Sequence, residues 1–178
     1  IPDGVTSIGD YAFYDCAALA GIEIPDSVIS IGDYAFNYCT SLETVSMGDG
    51  VISIGVCAFN HCTFLTGIKL PDSLTSIGDY AFNYCTSLET VSMGNSVTSI
   101  GENAFSDCKS LTSITIPDSV ISIGEGAFYG CSSLEFNEYA GVYYLGNANN
   151  PYLVLVEVKD NSVTSVTIHR DTKFISEW

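Results

Sequence analysis

The stretch LTSITIPDSVISIGEGAFYGC (Leu111–Cys131) contains every feature of a short unit that recurs along the chain. Alternating apolar residues around Ile114 and Ile116 predict an extended segment whose apolar side chains point inward. Pro117 begins a turn that ends this segment. The apolar residues up to Ile123 predict a second short extended piece on the opposite wall of the same unit.

The second half of the unit predicts a compact turn. Gly124 permits a change of chain direction, and Ala127, Phe128 and Cys131 place an apolar stripe on a short helical or 3₁₀ turn. One such unit is too small to bury its own apolar face. Stacked units bury a continuous column of apolar side chains, so neighbouring units share their stability.

A constant offset of 23 residues repeats this unit along the chain. The phenylalanines that recur at this offset are Phe13, Phe36, Phe59, Phe82, Phe105 and Phe128. The cysteines are Cys16, Cys39, Cys62, Cys85, Cys108 and Cys131. A period of this length fits one coil of a solenoid. A longer period of two units is also present, because Ser30–Gly48 is identical to Ser76–Gly94. We interpret this identity as recent duplication.

Composition narrows the function classes. Hydrophobic residues make up 47% of the 178 residues, which is too apolar for a disordered tail. The formal net charge of −16 disfavours nucleic acid and anionic lipid surfaces as partners. No apolar run reaches the roughly 20 residues of a membrane span, so direct membrane insertion is not expected. The chain begins inside a repeat, and we expect it to be a piece of a longer protein.

The pattern L-x-x-I-x-I-P-x-x-V-x-x-I-G-x-x-A-F-x-x-C resembles the leucine-rich repeats of the BspA-like type over residues 1 to about 134. The resemblance implies a right-handed solenoid with a parallel β-sheet on its concave face and short strands or 3₁₀ turns on the convex face. It also implies an extracellular or cell-surface location, and adhesion or protein recognition without catalysis.

The repeat pattern fails after Leu134. We predict a leucine-rich repeat array over residues 1–134, an irregular insertion over 135–162, and a truncated further repeat over 163–178. Within the insertion, Val142–Leu145 and Tyr152–Val158 predict a β-hairpin that replaces the convex half of one coil. The repeat resumes in Val163–Ile168, which matches Leu111–Ile116, and Ile175 takes the position of Ile123.

Three groups of residues are candidates for binding a partner. A hydroxylated strip, with Lys69 inside it, is predicted on the concave face at Thr44, Ser46, Thr90, Ser92, Ser113 and Thr115. A tyrosine strip is predicted on the convex flank at Tyr34, Tyr38, Tyr80 and Tyr84. The hairpin contributes Tyr143, Tyr144 and Tyr152. Tyrosine combines apolar area with a polar tip, which suits either a protein interface or a stripe that shields neighbouring coils.

The cysteines and carboxylates are interpreted as structural residues. A spacing of 23 places the thiols along a line, so we predict free, buried core cysteines in place of a zinc site or disulfides. Cys57 and His61, four residues apart, form a possible nucleophile or metal pair, but drift at exposed positions explains them better. The recurring aspartates predict solvated turns. No cofactor is expected, and weak surface Ca²⁺ association is the alternative.

Three functional hypotheses follow. The leading hypothesis is a non-enzymatic module that binds another protein, such as one on a host or neighbouring cell, through the concave face, the tyrosine strip or the hairpin. The alternative is a structural spacer that carries other domains away from a cell surface, which the identical units favour. An enzyme that uses Cys57 and His61 is the third, and no orienting group or oxyanion feature supports it.

Overall fold

The computed structural model describes residues 1–159 and 162–175, which form a parallel β-solenoid of about seven turns. The described residues contain fifteen short strands and no helix. The strands are β1 (Ser7–Ile8), β2 (Gly21–Ile24), β3 (Ser30–Ile31), β4 (Thr44–Met47), β5 (Ser53–Ile54), β6 (Gly67–Lys69), β7 (Ser76–Ile77), β8 (Thr90–Ser92), β9 (Ser99–Ile100), β10 (Ser113–Ile114), β11 (Ser122–Ile123), β12 (Asn137–Tyr139), β13 (Val142–Leu145), β14 (Val154–Val158) and β15 (Phe174–Ile175).

Two parallel walls face each other across the core. One wall is a six-stranded sheet in the order β1-β3-β5-β7-β9-β11. The other wall, called the concave face here, contains β2 and β4 in one sheet and β6, β8 and β10 in a second. Each strand pairs with its equivalent 23 residues away, as Ile31 does with Ile54 and Val91 with Ile114. The extended segments predicted around Ile114 and Ile123 are therefore confirmed.

The convex side is built from turns, and the prediction of helical or 3₁₀ turns there is wrong. Two residues of each turn have positive φ, such as Tyr34 at 58° and Tyr38 at 61°, and a right-handed helix requires negative φ throughout. The recurrence of positive φ among residues of negative φ directs backbone N–H groups of the turn along the solenoid axis. Phe36 N donates to Ala58 O at 2.7 Å in the next coil, so the convex side has its own ladder of hydrogen bonds.

The core is a stack of identical side chains. The six repeated phenylalanine rings lie nearly parallel, with neighbouring centroids 5.0–5.9 Å apart. Beside them, each cysteine thiol from the second coil onward donates to the phenylalanine carbonyl of the preceding coil, as Cys85 Sγ does to Phe59 O at 3.2 Å. All seven cysteines are free, and five of the six repeated cysteines are buried, which confirms the predicted core thiols at those five positions. Cys16, in the first coil, is half-buried.

The two-unit period also has a steric basis. Gly48 and Gly94 each lie against the Pro-Asp turn of the preceding coil. A Cβ on Gly94 would lie 2.3 Å from Pro71 O and 2.7 Å from Asp72 Cα, closer than a side chain tolerates. The Pro-Asp turns at Pro25 and Pro71 are thus each followed by a coil with glycine at that position, whereas Pro2 is followed by Pro25. Duplication in blocks of two units preserves this match.

The repeated glycine before each convex turn allows neighbouring coils to approach closely. A Cβ on Gly78 would lie 2.6 Å from Gly55 C, whereas a Cβ on Gly9, at the same position in the first coil, meets nothing within 4 Å. We expect Gly78→Ala to lower the free energy of unfolding by about 1–3 kcal/mol, because the backbone beneath it must move. Gly9→Ala, the matched control, should leave stability unchanged or raise it slightly. Urea unfolding measures both, and equal effects would contradict the close approach.

The predicted hairpin is confirmed, with its placement corrected. β13 and β14 are antiparallel, and the preceding strand β12, which the sequence did not predict, extends them to a meander. Gly146 O accepts from Ile116 N, and the Asn147 amide donates to Ile116 O and Asp118 Oδ1. The loop of the hairpin therefore replaces the turn that joins the concave strand to the six-stranded wall, and the predicted replacement of the convex half is wrong.

One short strand lies where the resumed repeat was predicted, and the further repeat itself stays a prediction. β15 contains Ile175 at the position of Ile123 and pairs in parallel with β14. Residues 163–168, by contrast, form no strand and are exposed. Residues 160, 161 and 176–178 lie outside the described residues, and the boundaries at 134 and 162 stay predictions.

Candidate interaction surface

The hydroxylated strip of the concave face is exposed along the solenoid. Its six predicted residues, Thr44, Ser46, Thr90, Ser92, Ser113 and Thr115, are all exposed, and so is Lys69. Parallel pairing places equivalent side chains side by side, with Ser46 next to Glu23 and Ser92 next to Lys69. The intervening Val91 and Ile114 point into the core. The result is a flat polar surface on a rigid apolar layer.

Two shallow hollows lie on the first coils of this face. One, of about 630 Å³, is lined by Thr44, Ser46, Met47 and Lys69 among others. The other, of about 540 Å³, is lined by acidic residues that include Glu23, Asp26 and Asp49. Both are wide open to solvent and formed by side chains of the sheet and its bordering turns. They have the shape of an interface more than that of a small-molecule site.

The recurring aspartates join neighbouring coils. Asp33 Oδ1 accepts from Val56 N at 2.7 Å, and Asp79 Oδ1 accepts from Glu102 N at 2.8 Å. At the other border, Asp26 Oδ1 accepts from Asp49 N at 2.9 Å. In residues 1–159 and 162–175, no three histidine, cysteine or acidic side chains converge as metal ligands. Weak Ca²⁺ association with these columns stays a prediction.

The tyrosine strip on the convex side is a ladder of stacked rings. Tyr34 stacks on Tyr11, with centroids 4.8 Å apart. His61 lies between Tyr38 and Tyr84, with centroids 4.5 and 4.7 Å away. Since the rings cover one another's faces, mainly their edges and hydroxyl groups reach solvent. This geometry supports the interpretation that the tyrosines shield neighbouring coils, and partner binding through their exposed edges stays a prediction.

The Tyr80 ring, in the same column of the repeat as Tyr34, is half-buried. Its hydroxyl donates to Glu102 Oε1 at 2.8 Å, and this hydrogen bond raises the pKa of Tyr80. The tyrosine is thus held by the next coil. Its hydroxyl already has a partner within the chain.

Cys57 is buried, and the prediction that it occupies an exposed position is wrong. Its side chain is 8% exposed, because the short thiol that replaces a tyrosine lies beneath Tyr34 and Asn60. Burial raises the pKa of the Cys57 thiol, which disfavours the reactive thiolate. His61 Nδ1 pairs with Asn60 Oδ1 at 2.7 Å, and burial lowers the pKa of His61. The pair has the properties of packed side chains, not of an activated nucleophile.

The hairpin tyrosines divide into surface and core. Tyr144 is fully buried in a small second core, so the prediction that it binds a partner is wrong. Its hydroxyl accepts from His169 N at 3.2 Å, which fixes the C-terminal segment over the hairpin. Tyr143 and Tyr152 are half-buried and stay candidates.

Two surface features were missed by the reasoning from sequence. The first is an aromatic cluster in which His169 stacks on Tyr152 at 4.1 Å and meets Tyr139 edge-on at 4.7 Å. Nothing in the sequence pairs these residues, because folding of the irregular segment alone brings them together. The second is Phe64, which is 59% exposed and stands where the neighbouring coils have serine. A large apolar residue at a polar position of the repeat was the available signal.

The fold and surface define a class: a repeat solenoid with the strand pairing of leucine-rich repeats. The family profile described as "BspA type Leucine rich repeat region (6 copies)" matches residues 1–140, and the chain belongs to this family. No curated protein matches the chain significantly. In the described part of the chain, no helix has the length and apolar character that crossing a membrane requires.

Solved bacterial structures share the fold. The leucine-rich repeat protein of T. pallidum (TpLRR) is 34% identical, with a TM-score of 0.66 over 75% of this chain and 74% of that one. A leucine-rich repeat protein of Eubacterium ventriosum is 32% identical, with a TM-score of 0.69 over 78% of this chain and 37% of that one. A leucine-rich cell surface protein of Faecalibacterium prausnitzii is 32% identical, with a TM-score of 0.56 over 86% and 49%. The chain thus spans about half or less of the length of two of these three proteins.

Proposed function

We propose that the chain is a non-enzymatic interaction module, secreted or on a cell surface, that binds another protein through its concave face. The observation that carries this proposal is the exposed hydroxylated strip, which runs in register across the concave strands. Serine and threonine hydroxyls both donate and accept hydrogen bonds, so a broad polar interface can form without rearrangement of the scaffold.

The remaining chemistry favours recognition over catalysis. The Cys57 thiol is buried with a raised pKa, and the two hollows of the concave face are open depressions without an acid–base pair aimed into them. One similar structure is a leucine-rich cell surface protein, which supports an extracellular location. A host or neighbouring-cell surface protein is the partner that such a location would present.

A structural spacer is the second candidate function. It is favoured by the identity of Gly32–Gly48 and Gly78–Gly94, because surfaces that bind a partner usually differ from repeat to repeat. The rigid stack of coils would then carry other domains away from a surface without a contact of its own.

Binding of the fluorescently labelled chain to a panel of mammalian and bacterial cells distinguishes the interaction module from the spacer. We expect saturable binding that falls at least tenfold in both Ser92→Arg and Ser92→Glu, because either side chain obstructs the concave face regardless of its charge. Ile121, 76% exposed beside the opposite wall, provides the matched controls Ile121→Arg and Ile121→Glu, which should bind normally. If the native chain shows no saturable binding, the binding proposal fails and the spacer remains.

A further inference from the structure

The third coil, Gly55–Ile77, differs from both of its neighbours. The coils on either side share the identical segment, Gly32–Gly48 and Gly78–Gly94, and the third coil lies between these copies. Its central core residues are those of the neighbours, since Phe59 and Leu65 are buried at the positions of Phe36 and Leu42. Several exposed residues are replaced. The Phe-Cys-Leu column of the core is therefore kept, while many of the differences change the surface.

The replacements remove negative charge. Just before the strand of the concave face, the third coil has Thr66 where the neighbouring coils have Glu43 and Glu89. Within the strands, Ser46 and Ser92 correspond to Lys69. The third coil has one basic and one acidic residue, Lys69 and Asp72, on a protein with a net charge of −16. It forms a band of zero net charge across an acidic solenoid.

An apolar group stands at one end of this band. Phe64 lies in the loop that leads into β6 and is 59% exposed. The equivalent residues of the flanking coils are Ser41 and Ser87, whose small side chains leave the ring standing above them. Aromatic residues, phenylalanine included, are enriched in the cores of protein interfaces.

A cationic group stands at the other end. Lys69 is the last residue of β6, about 16 Å from Phe64 if the five intervening steps are extended. It borders the 630 Å³ hollow beside the hydroxyl groups of Thr44 and Ser46. The ion pairs found in residues 1–159 and 162–175 do not include Lys69. An ammonium group with adjacent hydroxyl donors is suited to a carboxylate.

The floor between the two ends is low and neutral. Thr66 and Gly67 lie there. Gly67 has no side chain, and the Thr90 hydroxyl of the next coil lies 2.9 Å from where a Cβ on Gly67 would be. On both sides the flanking coils carry Glu43 and Glu89, which are exposed. These carboxylates repel an acidic ligand that is displaced by one coil. The band therefore determines the position of the ligand along the solenoid as well as its chemistry.

We propose that the third coil is a recognition band for a polypeptide segment that is apolar at one end and acidic at the other. The apolar end contacts Phe64, and the carboxylate binds Lys69 with the hydroxyls of Ser46 and Thr44. This inference rests on the proposed binding function and specifies the partner. The net charge alone would favour a basic partner, attracted by long-range electrostatics. The segment proposed here is instead acidic at one end.

Selection from a phage-displayed library of random 12-residue peptides tests the proposal at physiological salt. The immobilised native chain is the target, and the double variant Phe64→Ser/Lys69→Ser is used for counter-selection. Both substitutions install the residues of the flanking coils, so the fold is expected to be retained, as checked by circular dichroism. The enriched peptides should carry Asp or Glu together with Phe, Leu or Trp.

Affinities of the synthesised peptides then assign the two ends of the band. Either single variant should weaken binding at least tenfold. Added salt should weaken binding in Phe64→Ser as in the native chain. In Lys69→Ser this weakening should disappear or reverse, because only the repulsion by Glu43 and Glu89 is then left to be screened. Lys109→Ser, which removes another exposed lysine, is the matched control and should leave the affinity unchanged.

Four results would overturn the proposal. They are the absence of enrichment, enrichment of basic peptides, peptides that bind the double variant equally, and a dimer in ultracentrifugation that the double variant abolishes. The last result would assign the band to a second copy of the chain. None of them bears on the Ser92 and Ile121 variants in the cell assay, so the proposed function and this inference fail separately.

Discussion

Phe82→Ala is expected to lower the free energy of unfolding by about 3–5 kcal/mol. The Phe82 ring is fully buried and stacks on Phe59 and Phe105, each with a centroid 5.3 Å away. Truncation leaves a cavity in the middle of the stack, and the rigid coils on both sides restrict its collapse. Urea unfolding followed by circular dichroism measures the loss.

The chain provides its own control for this substitution. Phe64→Ala removes the same side chain from an exposed position and should change stability by no more than about 0.5 kcal/mol. A cost below about 1 kcal/mol for Phe82→Ala would contradict the buried stack. Two unfolding transitions in the variant would show that the coils on either side of the cavity unfold separately, as stacked repeats can.

The second large effect is loss of stability at alkaline pH. Burial raises the pKa of Cys85 to about 12 and that of Cys39 to about 11, and it also raises the pKa of Cys62. In the unfolded chain these thiols ionise near their ordinary pKa of about 8.5. Stabilisation is therefore complete below that value and is lost as the pH rises towards the folded pKa, because only the unfolded state releases its protons.

The expected slope for Cys85 alone is about 1.4 kcal/mol per pH unit between its two pKa values. Urea unfolding at pH 8 and pH 10.5 measures the change. Cys85→Ser is the matched variant, because its hydroxyl can still donate to Phe59 O and does not ionise in this range. The variant should lose about 2–3 kcal/mol less than the native chain over this interval. Identical pH dependence in both proteins would contradict the buried, protonated thiol.

Most of the repeat array was predictable because each coil makes the same contacts. The positions of Phe82, Cys85 and Ile100 follow from a single offset, and the structure places all three in the core. The exposure of the hydroxylated strip on the concave face followed in the same way, since alternation along a strand determines which side chains face outward. Periodicity carried no information on backbone dihedral angles, so the left-handed residues at Tyr34 and Tyr38 were missed.

The irregular C-terminal part shows where reasoning from sequence ends. The hairpin strands were recognised from their β-branched and aromatic residues, but the burial of Tyr144 was not, because it depends on the return of His169 over the hairpin. Burial of Cys57 also depends on a neighbour, since Tyr34 of the preceding coil covers the thiol. Both errors concern contacts between coils that the repeat pattern does not encode.

The amino-acid sequence by itself determined the solenoid, its 23-residue register, the columns of core residues and the membership of a repeat family. Tertiary structure alone decided which surface residues are accessible and which groups lie together. It buried Cys57 and Tyr144, stacked His61 between two tyrosines, and left Phe64 and Lys69 exposed at the two ends of a band of zero net charge. The physical reason is that the core columns arise from contacts repeated identically between coils, which a constant offset encodes. The accessibility of a substituted residue instead depends on the particular side chains that neighbouring coils place beside it.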